Sequence, residues 1–251
     1  GKCFWMRVYE IPEGSKNSKG RAIQNLINIE QDDKVKAFIC TQDLKDEDYV
    51  NSHYVIMATK MGQVKKTSLE QYSRPRSNGI NAITIKDDDE LLEAKLTNGN
   101  SQIMLAVKSG KAIRFEENKT RPMGRNASGV RGIRLKDNND EVVGMISVND
   151  MDANILVVSE NGFGKRSSLE DYRLTNRGGK GVKTISITEK TGKLVTLKSV
   201  SDNDDLMIIN KSGIAIRMQV EDLRVMGRAT QGVKVISIKE GDSIAAVAKV
   251  M

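Results

Sequence analysis

Apolar runs recur along the chain about every fifty residues, each leading into a glycine and then a basic stretch. Tyr54 to Ala58, Ile103 to Val107, Ile155 to Val158 and Leu206 to Ile209 precede Gly62, Gly110, Gly162 and Gly213. Behind them stand Val64-Lys65-Lys66, Ala112-Ile113-Arg114, Gly164-Lys165-Arg166 and Ala215-Ile216-Arg217. A second glycine follows at Gly79, Gly129, Gly181 and Gly232, at intervals of 50, 52 and 51 residues. After each comes an alternating apolar segment: Ile80/Ile83/Ile85, Val130/Ile133/Leu135, Val182/Ile185/Ile187 and Val233/Ile236/Ile238, and then a further apolar strand. The chain opens inside such a unit, with Gly1-Lys2-Cys3-Phe4-Trp5-Met6-Arg7 answering the basic stretch and Gly20 standing 19 residues on.

Each unit therefore reads as strand, turn, strand, long loop, strand, turn, strand, because short β-rich runs are bounded by glycine and acidic turns. A period near fifty with about four strands points to radial blades, since one small sheet needs a neighbour on each face to bury itself. The pattern predicts an all-β, propeller-like wheel forming a single domain over residues 1–251, with approximate repeats 1–48, 49–98, 99–150, 151–202 and 203–251. Helical periodicity is scarce, and Ser68 to Tyr72 and Ser168 to Tyr172 read as single turns.

Composition narrows the class. Aromatics make up 4%, so Ile, Val, Leu and Met must fill the core. The 40 Lys and Arg against 33 Asp and Glu leave a charge of +7, an excess that suits either a mildly basic soluble protein or a binder of polyanions. Placement favours the second, because the cations recur at fixed phases whereas acids gather in turns such as Asp87-Asp88-Asp89-Glu90, Asp137 to Glu141 and Asp202 to Asp205. Two cysteines, Cys3 and Cys40, fit a reducing cytoplasm better than secretion. The longest apolar runs fall far short of the ~20 residues of a spanning helix, so no membrane association is expected.

Catalytic chemistry finds little support. His53 is the only histidine and has no nucleophile motif beside it, so it reads as a turn residue. Two cysteines and one histidine do not make a zinc set. The Asp87 to Glu90 cluster recurs in phase with other acidic turns and reads as a solvated turn, with no metal expected. Tyr172-Arg173 resembles the nucleophile of a DNA-cleaving enzyme, but Tyr72 shares its phase, which favours a corner residue. Neither a P-loop nor a dinucleotide glycine motif is present, so no small-molecule substrate is expected.

The glycine loops are more informative. Arg177-Gly178-Gly179-Lys180-Gly181 combines close backbone approach with two cations, and reads as a phosphate clamp or as a basic hairpin turn. Related loops stand at Arg74 to Gly79, Arg121 to Gly129 and Met226 to Gly232. The candidates for phosphate contact are Lys65, Lys66, Arg74, Arg76, Arg114, Arg121, Arg125, Arg131, Lys165, Arg166, Arg177, Lys180, Arg217 and Arg228, with Arg177 and Lys180 ranked first and Gly178, Gly179 and Gly181 as the backbone of the clamp.

These loops carry a resemblance. Tyr9-Glu10-Ile11-Pro12-Glu13-Gly14 with Lys19-Gly20-Arg21, Arg121-Pro122-Met123-Gly124-Arg125 with Gly129-Val130-Arg131-Gly132-Ile133, and Val225-Met226-Gly227-Arg228 with Thr230-Gln231-Gly232-Val233 resemble the C-terminal domain of bacterial DNA gyrase A along nearly the whole chain. The family's box is Gln-Arg-Arg-Gly-Gly-Lys-Gly, and five of its seven positions match in Arg177 to Gly181, with Thr175 and Asn176 replacing the first two. The family carries that box in its first blade, whereas here the match falls in the fourth unit. The resemblance implies a six-bladed β-pinwheel of which this chain would hold about five blades, with the principal box expected before residue 1. It further implies a domain that wraps duplex DNA with little sequence specificity in support of negative supercoiling, working in the bacterial cytoplasm with the rest of gyrase A and with gyrase B. ATP, magnesium and strand cleavage would then belong to other parts of that type IIA topoisomerase, leaving this domain without a cofactor or catalytic residue. The alternatives are the related C-terminal domain of topoisomerase IV and, in another class, a propeller scaffold for protein partners.

Overall fold

A computed structural model describes residues 1–15 and 18–250. Its core elements are hairpins in which a β-branched, apolar strand turns at a glycine into a basic one. They pair β2 (Tyr54–Thr59) with β3 (Gln63–Ser68), β6 (Gln102–Val107) with β7 (Lys111–Glu116), β10 (Asn154–Ser159) with β11 (Phe163–Ser168), and β14 (Asp205–Asn210) with β15 (Ala215–Gln219). A third strand lies antiparallel on the other side of each apolar strand: β5 (Leu91–Thr97), β9 (Val142–Val148), β13 (Leu194–Val200) and β17 (Ile244–Val250).

The fourth strand comes from elsewhere than the unit pattern predicts. The short strands β8 (Val130–Arg131), β12 (Val182–Lys183) and β16 (Val233–Lys234) pair with β3, β7 and β11, so each completes the sheet of the preceding unit. Likewise β4 (Ile80–Asn81) pairs with β1 (Lys2–Cys3). Strand exchange thus ties consecutive units by backbone hydrogen bonds as well as by packing. Among the described residues, the β15-β14-β17 sheet has three strands, and the first unit contributes β1 with single 3-10 turns in place of a blade.

Packing explains why the central strands are apolar on both faces. Ile56 and Ala58 of β2 share a buried cluster with Ile103, Leu105 and Val107 of β6, while Val55 and Met57 face the cluster of Leu69, Tyr72 and Ile83. Met104 and Ala106 join Ile155 and Val157, and Leu156 and Val158 join Leu206 and Ile208. Alternate residues therefore enter alternate cores, as the period of two in a strand requires. The turns after β3 and β11 are short 3-10 turns, Leu69–Tyr72 and Leu169–Asp171, as the sequence indicates. One helix, α1 (Glu47–Ser52), escaped the periodicity. It is too short to show a helical repeat and is started by Asp46, whose side chain accepts from the Tyr49 amide at 3.1 Å. No helix among the described residues is long and apolar enough to cross a membrane.

Candidate nucleic-acid interface

The long loops of the third, fourth and fifth units each lie along the basic strand of the unit before. Met123, Thr175 and Met226 donate their amides to the carbonyls of Lys66, Arg114 and Arg166, at 2.8, 2.9 and 2.8 Å. Neighbouring loops are bonded in turn, Thr84 to the Ala127 carbonyl, Arg134 to that of Gly179 and Ser186 to that of Thr230, at 3.3, 2.8 and 3.1 Å. The result is a belt of loops running from unit to unit.

Close approach of the backbone accounts for the second glycines. Gly181 has φ +70°, and a Cβ there would lie 2.5 Å from the Ala112 carbonyl oxygen of β7. Its repeat mates Gly129 and Gly232 sit in the same way against Val64 and Gly164. Gly178 (φ +81°) spends its amide on the Gly132 carbonyl at 2.6 Å. The Gly178 amide is thereby taken up within the fold.

Several of the expected phosphate contacts are also absorbed by the fold. Lys65 is fully buried and its Nζ donates to the carbonyls of Ala82 and, at 2.5 Å, Arg125. Lys165 is equally buried and donates to the Gly227 carbonyl at 2.5 Å and to Thr230 Oγ1 at 3.1 Å. Burial pushes each ammonium down to about 8. Lys66 pairs with Glu117 at 2.9 Å, both buried, beneath the Tyr54 ring. Arg166 is buried between the Leu223 carbonyl, at 2.5 Å, and Asp202. Arg114, half-buried, donates to Gln102 Oε1 and to the carbonyls of Leu169 and Tyr172 at 2.6, 2.9 and 3.0 Å, and Arg217 is exposed but neutralised by Asp205 at 2.6 Å. Strand alternation cannot reveal this, because a strand packed on both faces buries its cations as readily as its apolar residues when carbonyls wait for them.

The remaining candidates lie on the belt. Arg74, Arg76, Arg121, Arg131 and Lys180 are exposed and form no ion pair among the described residues. Arg125, Arg177 and Arg228 are half-buried within it. The structure adds cations that share their phase: Arg173 and Arg224 follow their 3-10 turns as Arg121 does, and Lys183 and Lys234 occupy the second residue of β12 and β16 as Arg131 does of β8. All four are exposed. The repeat register held the signal, one alignment step beyond the loops where charge was densest.

Beneath the Arg177 to Gly181 loop, Ile113 occupies the place that Lys65 and Lys165 take in their own blades. A cavity of about 160 Å³ remains there, lined by Ile113, Arg114, Arg173, Asn176 and Lys180 among others. The two tyrosines at the turns are buried, Tyr72 on the Ala82 carbonyl and Tyr172 on Thr184, and burial pushes the Tyr72 hydroxyl up to about 12. They are corner residues. His53 caps α1 with Nδ1 2.8 Å from the Tyr49 carbonyl.

Strand-exchanging blades with a cationic belt of loops define a propeller-type repeat protein. The chain belongs to the DNA gyrase C-terminal domain family: the family model described as "DNA gyrase C-terminal domain, beta-propeller" matches residues 1–42, 53–98, 102–149, 153–201 and 204–251. It is 42% identical over 251 residues to the DNA gyrase A protein of Staphylococcus epidermidis, and 42% identical over 252 residues to that of Staphylococcus aureus. In both comparisons the whole chain is matched but only 28% of the relative's length. Among solved structures, a DNA topoisomerase IV C-terminal domain aligns with TM-score 0.89 and a DNA gyrase A C-terminal domain with TM-score 0.84, each at 25% identity over 100% of this chain, covering 76% and 80% of theirs.

Proposed function

We propose that the chain binds duplex DNA along the loop belt and bends it around the wheel, as the C-terminal part of a bacterial gyrase A that supports negative supercoiling. The observation that carries this reading is the recurrence, at two fixed phases of the belt, of exposed cations that form no ion pair among the described residues, Arg121/Arg173/Arg224 and Arg131/Lys183/Lys234. Such cations grip phosphates without reading bases, so sequence specificity is low. Bending costs roughly 1 to 6 kcal/mol per 20 to 30 base pairs, so several units must act together. Strand cleavage, ATP and magnesium are assigned to other parts of the enzyme, with the remainder of gyrase A and gyrase B as partners. The 42% identity to gyrase sequences favours this over topoisomerase IV.

A salt titration of duplex affinity tests the proposal. About six phosphate contacts give a log–log slope near −5. A slope near zero, or preference for a protein partner over bare duplex, would refute it. Ligation of nicked plasmid with the chain present then reads wrapping and its sign as a shift in linking number.

A further inference from the structure

The half-buried arginines of the belt share one bond. Arg125 Nη1 donates to the Asn81 carbonyl at 3.3 Å, Arg177 Nη1 to the Arg131 carbonyl at 3.0 Å, and Arg228 Nη1 to the Lys183 carbonyl at 2.9 Å. Each arginine stands four residues before the second glycine of its unit, and each target is the second residue of the short strand in the unit before. Two of those targets, Arg131 and Lys183, carry exposed cations of the belt. Arg177 adds a second bond from Nε to the Lys119 carbonyl at 2.9 Å. In the second unit the same position is Pro75, which has no donor to offer.

We propose that Arg177, with Arg125 and Arg228, is a positioning residue: it clasps the backbone of the preceding unit and fixes the spacing of the exposed cations, rather than serving as the principal phosphate contact. This rests on the DNA-binding reading above, but the clasp itself can be tested without DNA. A guanidinium holds its Nε and Nη donors in a rigid planar fork, and Arg177 uses two of these separate nitrogens on two carbonyls; a lysine offers one nitrogen on a flexible stem and does not reproduce that spacing. The clasp also holds Arg177 beside Arg131, like charges kept together by a backbone bond. That arrangement suits a belt awaiting a polyanion. Lys180, exposed and without an ion pair among the described residues, then becomes the phosphate contact of this loop.

The test compares Arg177→Lys, which keeps the charge, with Lys180→Gln, which removes one. Hydrogen exchange of the Gly178 and Arg134 amides reads the clasp directly, since both are bonded across the junction between the third and fourth units. The expected result is exchange at least about tenfold faster in Arg177→Lys, with its salt slope unchanged and its linking-number shift reduced. Lys180→Gln is expected to leave exchange as in the parent and to lower the slope by about one. Parent-like exchange in Arg177→Lys overturns the clasp whether or not the chain binds DNA. Retained wrapping in that variant, with a slope lowered by about one in Arg177→Gln, assigns Arg177 to phosphate instead and also overturns it. If Arg177→Lys does not fold, Arg125→Lys and Arg228→Lys put the same question to the other junctions, read at the Thr84 and Ser186 amides.

Discussion

Lys65 and Lys165 show how far a residue's type lies from its role. Each holds two oxygen acceptors, and a neutral amine still has two N–H groups to offer them. Burial is the chief cause of their lowered proton affinity, with Arg125 adding to it at Lys65; Asp171 opposes it and Arg228 adds to it at Lys165. The folded value is about 8 against an ordinary 10.5, so between those pH values the unfolded chain holds protons that the folded one has released. Stability from these groups therefore rises with pH across that window. Comparing the parent with Lys65→Ile, the residue that Ile113 supplies at the same phase, the stability difference should move in the parent's favour by on the order of 1 to 3 kcal/mol from pH 8 to 10.5. A difference independent of pH in denaturant melts would show that Lys65 is not desolvated as the fold implies. Glu117 teaches the same lesson from the acidic side, since it stands where Leu69, Leu169 and Val220 stand in other units and is satisfied by Lys66, Thr97 and Ser101.

At the scale of elements, the hairpins, their glycine turns and the third strands follow the apolar pattern closely. What the pattern could not show is the partner of the short strand, because two residues such as Val182-Lys183 carry no register of their own. That register is set by Gly181, which brings the chain against β7, and by the Thr184 amide on the Gly110 carbonyl at 2.9 Å. Gly181→Ala is expected to cost about 2 kcal/mol or more, through both the left-handed backbone and the contact with Ala112. Gly179→Ala, whose Cβ would meet Ile113 Cδ1 at an ordinary 3.5 Å and whose φ is not positive, is expected to stay within about 0.5 kcal/mol. Equal losses in chemical denaturation would mean that close approach is not what selects the glycine. That the central strands bury both faces was legible from their continuous apolar runs and from the need of each small sheet for a neighbour on either side. The helix Glu47–Ser52 was not, since its signal is one capping aspartate.

At the scale of the whole molecule, charge is divided between two uses. Inner cations staple loops to sheets, and outer ones stay exposed. Replacing Arg131, Lys183 and Lys234 together by glutamine should therefore lower the salt slope of DNA binding by about three while leaving the melting temperature nearly unchanged. An unaltered slope would move the DNA path off this row. The sequence by itself determined the repeat, the strand content, the apolar faces and the resemblance to the gyrase domain, because each follows from periodicity and short motifs local to one unit. Only the tertiary structure decided which unit completes each sheet and which cations face outward. Lys65 and Arg131 are alike as basic residues next to apolar ones, yet one meets the carbonyl of Arg125, 60 residues away, and the other stays exposed. The fate of a charge depends on the acceptors that a distant segment brings to it.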